Sequence, residues 1–246
     1  MHWDIRYTEE TGSTNEDVAA WGRAGEKAGA VLYTGKQTRG RGRMSRSWFS
    51  PADKGLYFSV LLRPRIPLKD AGLLSFCAAN AMVDALRECG AEAWAKWPND
   101  VVIQGKKVCG ILSVCEAEED ALRFAVIGCG VNLLQGSYPE ELADRAACLG
   151  EFGLFPEREE VLNRFLSHLD REASDLEEHG FEGVRERLEA RCITIGRRVQ
   201  VSGAQCCEGT AECIGDHGEL TVRLADGKKE SVVCGDVSVR GVMGYV

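Results

Sequence analysis

The chain has no run of about 18 consecutive apolar residues, the length a helix needs to cross a bilayer. Its most apolar region, around Leu73 to Val83, is broken by Ser75 and Asn80. Nor does Met1-His2-Trp3-Asp4-Ile5-Arg6 carry an apolar segment of signal-peptide length. These absences argue against membrane insertion and secretion, and a cytoplasmic location is expected. Cationic side chains are in deficit, with 30 Lys and Arg against 38 Asp and Glu and a net charge of −8. Broad binding to nucleic acid or to a membrane surface usually needs a basic face, so neither partner is expected. There is no Cys-x-x-Cys pair, although eleven cysteines are present. Most lie in apolar runs, where a reduced thiol packs as a small hydrophobe, and a disulfide framework is not expected. Cys206, Cys207, Cys213 and His217 are neighbours in sequence, but their spacing matches no standard zinc pattern. Internal repeats and low-complexity linkers are also missing, which excludes a repeat array.

A length of 246 residues suits one large domain, or a medium one with a small companion, and the 44% apolar content suffices for a core. A short strand is predicted at Ile5 to Tyr7. Ser13 and Glu16 have the spacing of a capping box, opening a helix to about Gly25. Strands follow at Ala30 to Thr34 and Gly55 to Leu62, then a helix from about Lys69 to Cys89, stopped by Gly90. Val101 to Ile103, Val108 to Cys115 and Leu122 to Ile127 read as strands, the first two joined as a hairpin at Gly105. Amphipathic helices are predicted over Val161 to His179 and Phe181 to Arg191. After Cys192 short β-type runs alternate with Gly and Asp turns, which reads as a separate small all-β barrel. The predicted division is therefore residues 1–191 and 192–246.

Five segments carry side chains suited to chemistry. From Lys36 to Arg46 there are five cationic residues and no acidic one, with glycine alternating with arginine and Trp48 closing the run. Glycine lets backbone N–H groups converge on an anion, and arginine binds phosphate or carboxylate bidentately. Taken alone, the loop is open to three readings: an anion grip, a solvated flexible loop, or an RGG-like arm that touches RNA. Lys96-Trp97-Pro98-Asn99-Asp100 offers a lysine for a phosphate and an aspartate able to hold Mg²⁺, or simply a turn. Lys107 precedes Gly110, whose missing side chain would admit a ligand; the plain alternative is a hairpin tip. Ser13-Thr14-Asn15 clusters polar groups at a helix start. Gly128-Cys129-Gly130-Val131-Asn132 ends a predicted strand, with no helix start of the dinucleotide-binding type after it.

In this order the segments read Ser-Thr-Asn, Gln-x-x-Gly-Arg-Gly-Arg-x-x-Arg-x-Trp-x-Ser-Pro, Gly-Leu-Tyr-Phe-Ser, Lys-Trp-Pro-Asn-Asp, Lys-x-x-Gly-Ile-Leu and Gly-x-Gly-x-Asn. The set resembles the biotin protein ligases, closely from Thr11 to Leu133 and loosely into the C-terminal barrel. Ser45 departs from the pattern, since the family usually has glycine there. The resemblance implies an α+β fold: a mixed-sheet catalytic domain of the biotin/lipoate ligase, class II synthetase-like, type with a small SH3-like β-barrel after it. It implies an ATP- and Mg²⁺-dependent enzyme that activates biotin as biotinoyl-5′-AMP and transfers it to a lysine of a biotin carboxyl carrier domain.

By the same resemblance, Ser13, Thr14, Asn15, Gln37, Arg41, Gly42, Arg43 and Lys107 would bind biotin. Gly40, Arg41, Arg43, Arg46, Trp48, Lys96, Asn99 and Asn132 would bind ATP or the adenylate. Lys96 and Arg43 would act in catalysis, and Asp100 would contact Mg²⁺. Some members of the family carry an N-terminal helix-turn-helix. With Ser-Thr-Asn beginning at residue 13, no operator binding is expected. A sheet-mediated homodimer is compatible with the fold. The competing readings are a lipoate or octanoate ligase or transferase of the same fold, and an RNA-binding module built on the Arg-Gly loop.

Overall fold

Strand β1 (Asp4–Thr11), helix α1 (Thr14–Arg23) and strand β2 (Ala30–Gln37) open the computed structural model, which describes residues 1–234, 237–241 and 244–246. β1 and β2 are parallel, as a connection through a helix permits. Antiparallel pairing adds β3 (Gly55–Leu62), β4 (Ala93–Lys96), β5 (Asp100–Ile103), β6 (Lys106–Glu118) and β7 (Ala121–Asn132). The result is a mixed seven-stranded sheet of order β1-β2-β3-β7-β6-β5-β4.

Alternation along the central strands separates two faces. Leu56, Phe58, Val60 and Leu62 of β3 and Ala125, Ile127, Cys129 and Val131 of β7 join one core with the helices. Those helices are α2 (Leu74–Glu88), entered through a 3₁₀ turn at Leu68–Leu73, α3 (Arg158–His179) and α4 (Phe181–Glu189). Phe58 meets Phe165 of α3 edge-on, with ring centroids 5.0 Å apart. On the opposite face α1 covers one end of the sheet, where Val18 and Ala19 pack with Leu61, Phe124 and Val126. The rest of that face is left for Ser59, Gly128, Gly130 and Gly110.

A second, antiparallel sheet comprises β8 (Arg198–Gly203), β9 (Cys207–Ile214), β10 (Leu220–Leu224), β11 (Lys229–Val232) and β12 (Val237–Gly241), in the order β11-β10-β9-β8-β12. The α+β architecture with a small SH3-like β unit is thus as expected. The predicted hairpin is present: Gln104 (φ 48°) and Gly105 (φ 78°) form a tight turn between β5 and β6, and both are left-handed, as hairpin turns of the primed types require. Residues near the predicted division hydrogen-bond to the edge strand of the first sheet. Ala95 N–H donates to Arg191 O (2.9 Å), and Ile193 N–H donates to Ala95 O (2.8 Å).

Several expectations are corrected. The strand predicted over Leu122 to Ile127 runs on to Asn132, so the glycine-rich segment 128–132 forms the end of β7. β4, with the sequence Ala-Trp-Ala-Lys, has little strand propensity and is a strand because Ala93 to Lys96 pair with Ile103 to Asp100. β12 was not predicted, although Val237-Ser238-Val239-Arg240 alternates apolar and polar residues. The capping box does not form, since the Ser13 side chain makes no cap hydrogen bond.

One buried charge ties the helices together. Glu172 of α3 is fully buried, accepts from Asn80 Nδ2 of α2 (3.1 Å) and pairs with Arg187 of α4 (2.9 Å) and Arg171 (3.1 Å). Glu172→Ala would leave Asn80 and the two part-exposed arginines without this acceptor. The expected cost is about 2–3 kcal/mol of unfolding free energy, toward the low end for a broken buried pair because both arginines reach solvent. Urea denaturation of the variant against the parent measures it.

Candidate functional site

Gly110 of β6 and Gly130 of β7 pair directly across the sheet, with Leu112 and Gly128 the next pair on the same face. Two opposed glycines leave bare backbone where a sheet ordinarily carries side chains. The indole of Trp48 rests on that floor. A Cβ at Gly130 would overlap Trp48 Nε1, and one at Gly110 would come within 2.8 Å of its ring. Among the described residues Trp48 Nε1 has no hydrogen-bond partner.

The loop that brings Trp48 there leaves β2 at Gln37, and Gln37 fixes both of its ends. Its Oε1 accepts from Thr14 N–H (2.9 Å) at the start of α1, and its Nε2 donates to Ser50 Oγ (3.0 Å). The capping box, in turn, loses its carboxylate arm to an ion pair. Gln37 takes the first helical N–H, while Glu16 turns outward to pair with Arg41 and, at 3.6 Å, with Arg39. Within the loop Met44 and Ser45 are both left-handed, each at φ 57°. Ser45, the departure from the usual glycine, therefore occupies a conformation that glycine adopts without cost. Arg43 donates to Asn99 Oδ1 (3.1 Å), tying the loop to the turn between β4 and β5, whereas Arg46 is exposed.

Beside the floor lies a small polar nest. Ser59 Oγ is 2.6 Å from Asn15 Oδ1 and 2.7 Å from Thr14 Oγ1, and Asn15 Nδ2 donates to Leu112 O (3.2 Å). Ser13 is also buried here. On the other side Asn132 donates to Ala147 O (3.1 Å) while its Oδ1 stays buried without a partner among the described residues.

Two lysines and a carboxylate form the third wall. Lys107 Nζ pairs with Asp100 Oδ1 at 2.5 Å. Lys96, 5% exposed, donates to Val239 O of β12 (2.8 Å) and lies 4.2 Å from the centre of the Tyr245 ring. Burial pushes the Lys96 ammonium down to about 8, and the negative charge of Asp100 is the main influence opposing it. Burial alone would raise Asp100, but the Lys107 and Lys96 charges hold it below the usual carboxylate range.

All fifteen residues marked from sequence line one cavity of about 940 Å³, whose walls carry nine Lys and Arg side chains against two carboxylates. Such a surplus in an acidic chain suits a multiply charged anion. Asp100, the residue expected to contact magnesium, lines this cavity with the others. Its carboxylate is already enclosed by Lys107 and the Tyr245 hydroxyl, and among the described residues no three His, Cys, Asp or Glu side chains converge to hold an ion. Protein side chains alone would not hold magnesium here; an ion at Asp100 would need ligand phosphates as its further donors. Ser59, Val239, Arg240 and Tyr245 line or support the site and were not assigned roles from sequence. Ser59 had a signal, as the one polar side chain in an otherwise apolar buried strand; Tyr245 had none.

Residues 8–132 match the model of the Biotin/lipoate A/B protein ligase family, and residues 194–240 match the Biotin protein ligase C terminal domain. The chain is 34% identical over 238 residues to the bifunctional ligase/repressor BirA of Bacillus subtilis, covering 94% of this chain and 72% of that one. It is 35% identical over 237 residues to the biotin–[acetyl-CoA-carboxylase] ligase of Mycobacterium tuberculosis, covering 93% and 86%. The biotin protein ligase of Aquifex aeolicus in complex with biotin and ATP superposes with a TM-score of 0.84 at 30% identity, over 97% of this chain and 99% of that one.

A methyl group at Gly130 cannot share space with the indole above it. Gly130→Ala is expected to evict Trp48 from the floor, raising the acrylamide quenching of tryptophan emission. The increase should vanish when Trp48→Phe is added, since the atoms nearest to a Cβ at Gly130 all belong to Trp48.

Proposed function

The chain belongs to the biotin/lipoate A/B protein ligase family, and from that premise we propose that it joins biotin to ATP and passes the activated acyl group to a lysine of a biotin carboxyl carrier domain. One observation carries the reading: the polar nest, the bare floor and the cationic wall are parts of a single cavity, in a chain whose relatives bind biotin and ATP. The reaction has two steps. An oxygen of the biotin carboxylate attacks the α-phosphorus of ATP, forming an O–P bond and releasing pyrophosphate. The acceptor lysine amine then attacks the acyl carbon of biotinoyl-5′-AMP, forming the amide and releasing AMP.

The first step brings two anions together, and fixed cations offset their repulsion. We assign this to Lys96, Lys107 and Arg43, which approach from three separate segments. The nest of Ser13, Thr14, Asn15 and Gln37 suits a small polar head group, with Ser59 holding Thr14 and Asn15 in place. Trp48 and the unpartnered Oδ1 of Asn132 are assigned to the nucleotide side. Arg41, held by Glu16, serves the ligand only after leaving that pair; Gly40, Gly42 and Arg46 give the loop its flexibility and charge. Asn99 positions Arg43. No nucleophilic side chain is needed, and burial raises the Cys109 thiol, beside Gly110, well above its ordinary range. We take residues 1–191 as the catalytic unit and 192–246 as the smaller one.

The acyl-adenylate reacts with water, so its retention tests the reading. After incubation with biotin, ATP and Mg²⁺, native mass spectrometry should find biotinoyl-5′-AMP on the protein. Pyrophosphate exchange that responds to lipoate and not to biotin would reverse the choice of substrate.

Arg43→Gly removes a charge-assisted contact. Such contacts contribute about 1.5–3 kcal/mol, so the variant should release the adenylate roughly ten- to a hundredfold faster in a rapid-quench experiment.

A further inference from the structure

Lys96, Lys107, Asp100 and Tyr245 form a connected cluster, and Tyr245 belongs to none of the motifs. The two oxygens of Asp100 are held differently: Oδ1 is ion-paired with Lys107 at 2.5 Å without a hydrogen bond among the described residues, whereas Oδ2 accepts from the Tyr245 hydroxyl. Lys96 is close enough for Asp100 to be the main charge favouring its ammonium form, yet no Lys96–Asp100 ion pair forms among the described residues. Its donors go instead to Val239 O at 2.8 Å and toward the face of the Tyr245 ring. One aromatic side chain thus occupies the carboxylate oxygen that Lys96 would otherwise take, and faces the ammonium with its ring.

The seat of Tyr245 is built on both sides. Gly244 N–H donates to Gly241 O at the end of β12 (3.4 Å). Val246 packs where Gly105 of the β5–β6 turn has no side chain, since a Cβ there would come within 2.9 Å of Val246 Cγ2. Burial, with Asp100 adding to it, raises the phenol well above its ordinary range, so the hydroxyl keeps its proton and donates at working pH.

We propose that Tyr245 is a positioning residue of the adenylation site, filling the second oxygen of Asp100 so that the Lys96 ammonium stays unpaired with it and directed to the reacting phosphate. This rests on the reading of Lys96 as a cation that serves the reaction. Without the hydroxyl, Lys96 can collapse onto Asp100. Its charge is then neutralised by a direct ion pair and withdrawn from the cavity.

The test is Tyr245→Phe, which keeps the ring and its packing, followed by biotin-dependent pyrophosphate exchange as a function of pH. The charged or titratable groups facing Lys96, besides Tyr245, are Asp100, Lys107, Cys192 and Arg240. In the parent protein kcat/KM for ATP should fall as pH rises through about 8, where the free-enzyme Lys96 loses its proton. In Tyr245→Phe a direct carboxylate partner holds that proton longer. The alkaline limb should move up by about one pH unit, and kcat/KM below the limb should drop roughly tenfold. A limb that stays at its parent position, with or without a loss of rate, overturns the proposal, because a merely structural contact would not move it. Lys96→Met separates the two readings. If that variant is inactive while Tyr245→Phe matches the parent, only the role of Tyr245 is lost. If Lys96→Met exchanges pyrophosphate at the parent rate, the assignment of Lys96 itself fails.

Discussion

Asp100 is a single buried carboxylate set between two lysines, and the site depends on its charge. Two ammonium groups close together in one wall repel each other, and burial favours losing the proton of Lys96. The carboxylate offsets both effects. It binds Lys107 directly and keeps Lys96 charged from a greater distance, which leaves positive charge facing the cavity rather than cancelled within the wall. The position of Asp100 follows from the fold. It starts β5, opposite Lys96 at the end of β4 and opposite Gly110 of β6. The same register that brings the lysines to one carboxylate also places them beside the bare glycine floor.

The second sheet takes part in this arrangement. Trp97 Nε1 donates to Gly218 O (2.9 Å) and its backbone N–H donates to Thr194 Oγ1 (3.0 Å), while Lys96 reaches Val239 O. Two consecutive residues of one motif are therefore satisfied by groups more than ninety positions away in sequence. The small sheet forms a wall of the cavity, and separating it would leave a buried ammonium and an indole N–H without acceptors.

Local physics decided what could be read from the sequence. β3 and α2 were legible because their apolar patterns are long and fully buried. β4 was not, because a short alanine-rich segment becomes a strand only through its partner. The marked side chains do share one cavity, since glycine, lysine and arginine at those spacings reflect needs of the site itself. The fate of Glu16 was misread because a helix cap and an ion pair with Arg41 compete for one carboxylate, and the partner lies 25 positions along the chain, beyond any local rule. Tyr245 was invisible for a similar reason: nothing in Gly-Tyr-Val indicates that it folds against a hairpin turn at Gly105. Magnesium at Asp100 was read from residue type alone, and the two lysines beside it could be counted in sequence but not located.

The cavity's surplus of cations has a consequence for size. Nine positive and two negative side chains line it, within a chain of net charge −8, so the remaining surface carries about fifteen excess negative charges. An anion small enough to enter experiences the first field, and an extended polyanion lying across the outside experiences the second. For ligands of one sign, dimensions therefore decide which of the two fields is met.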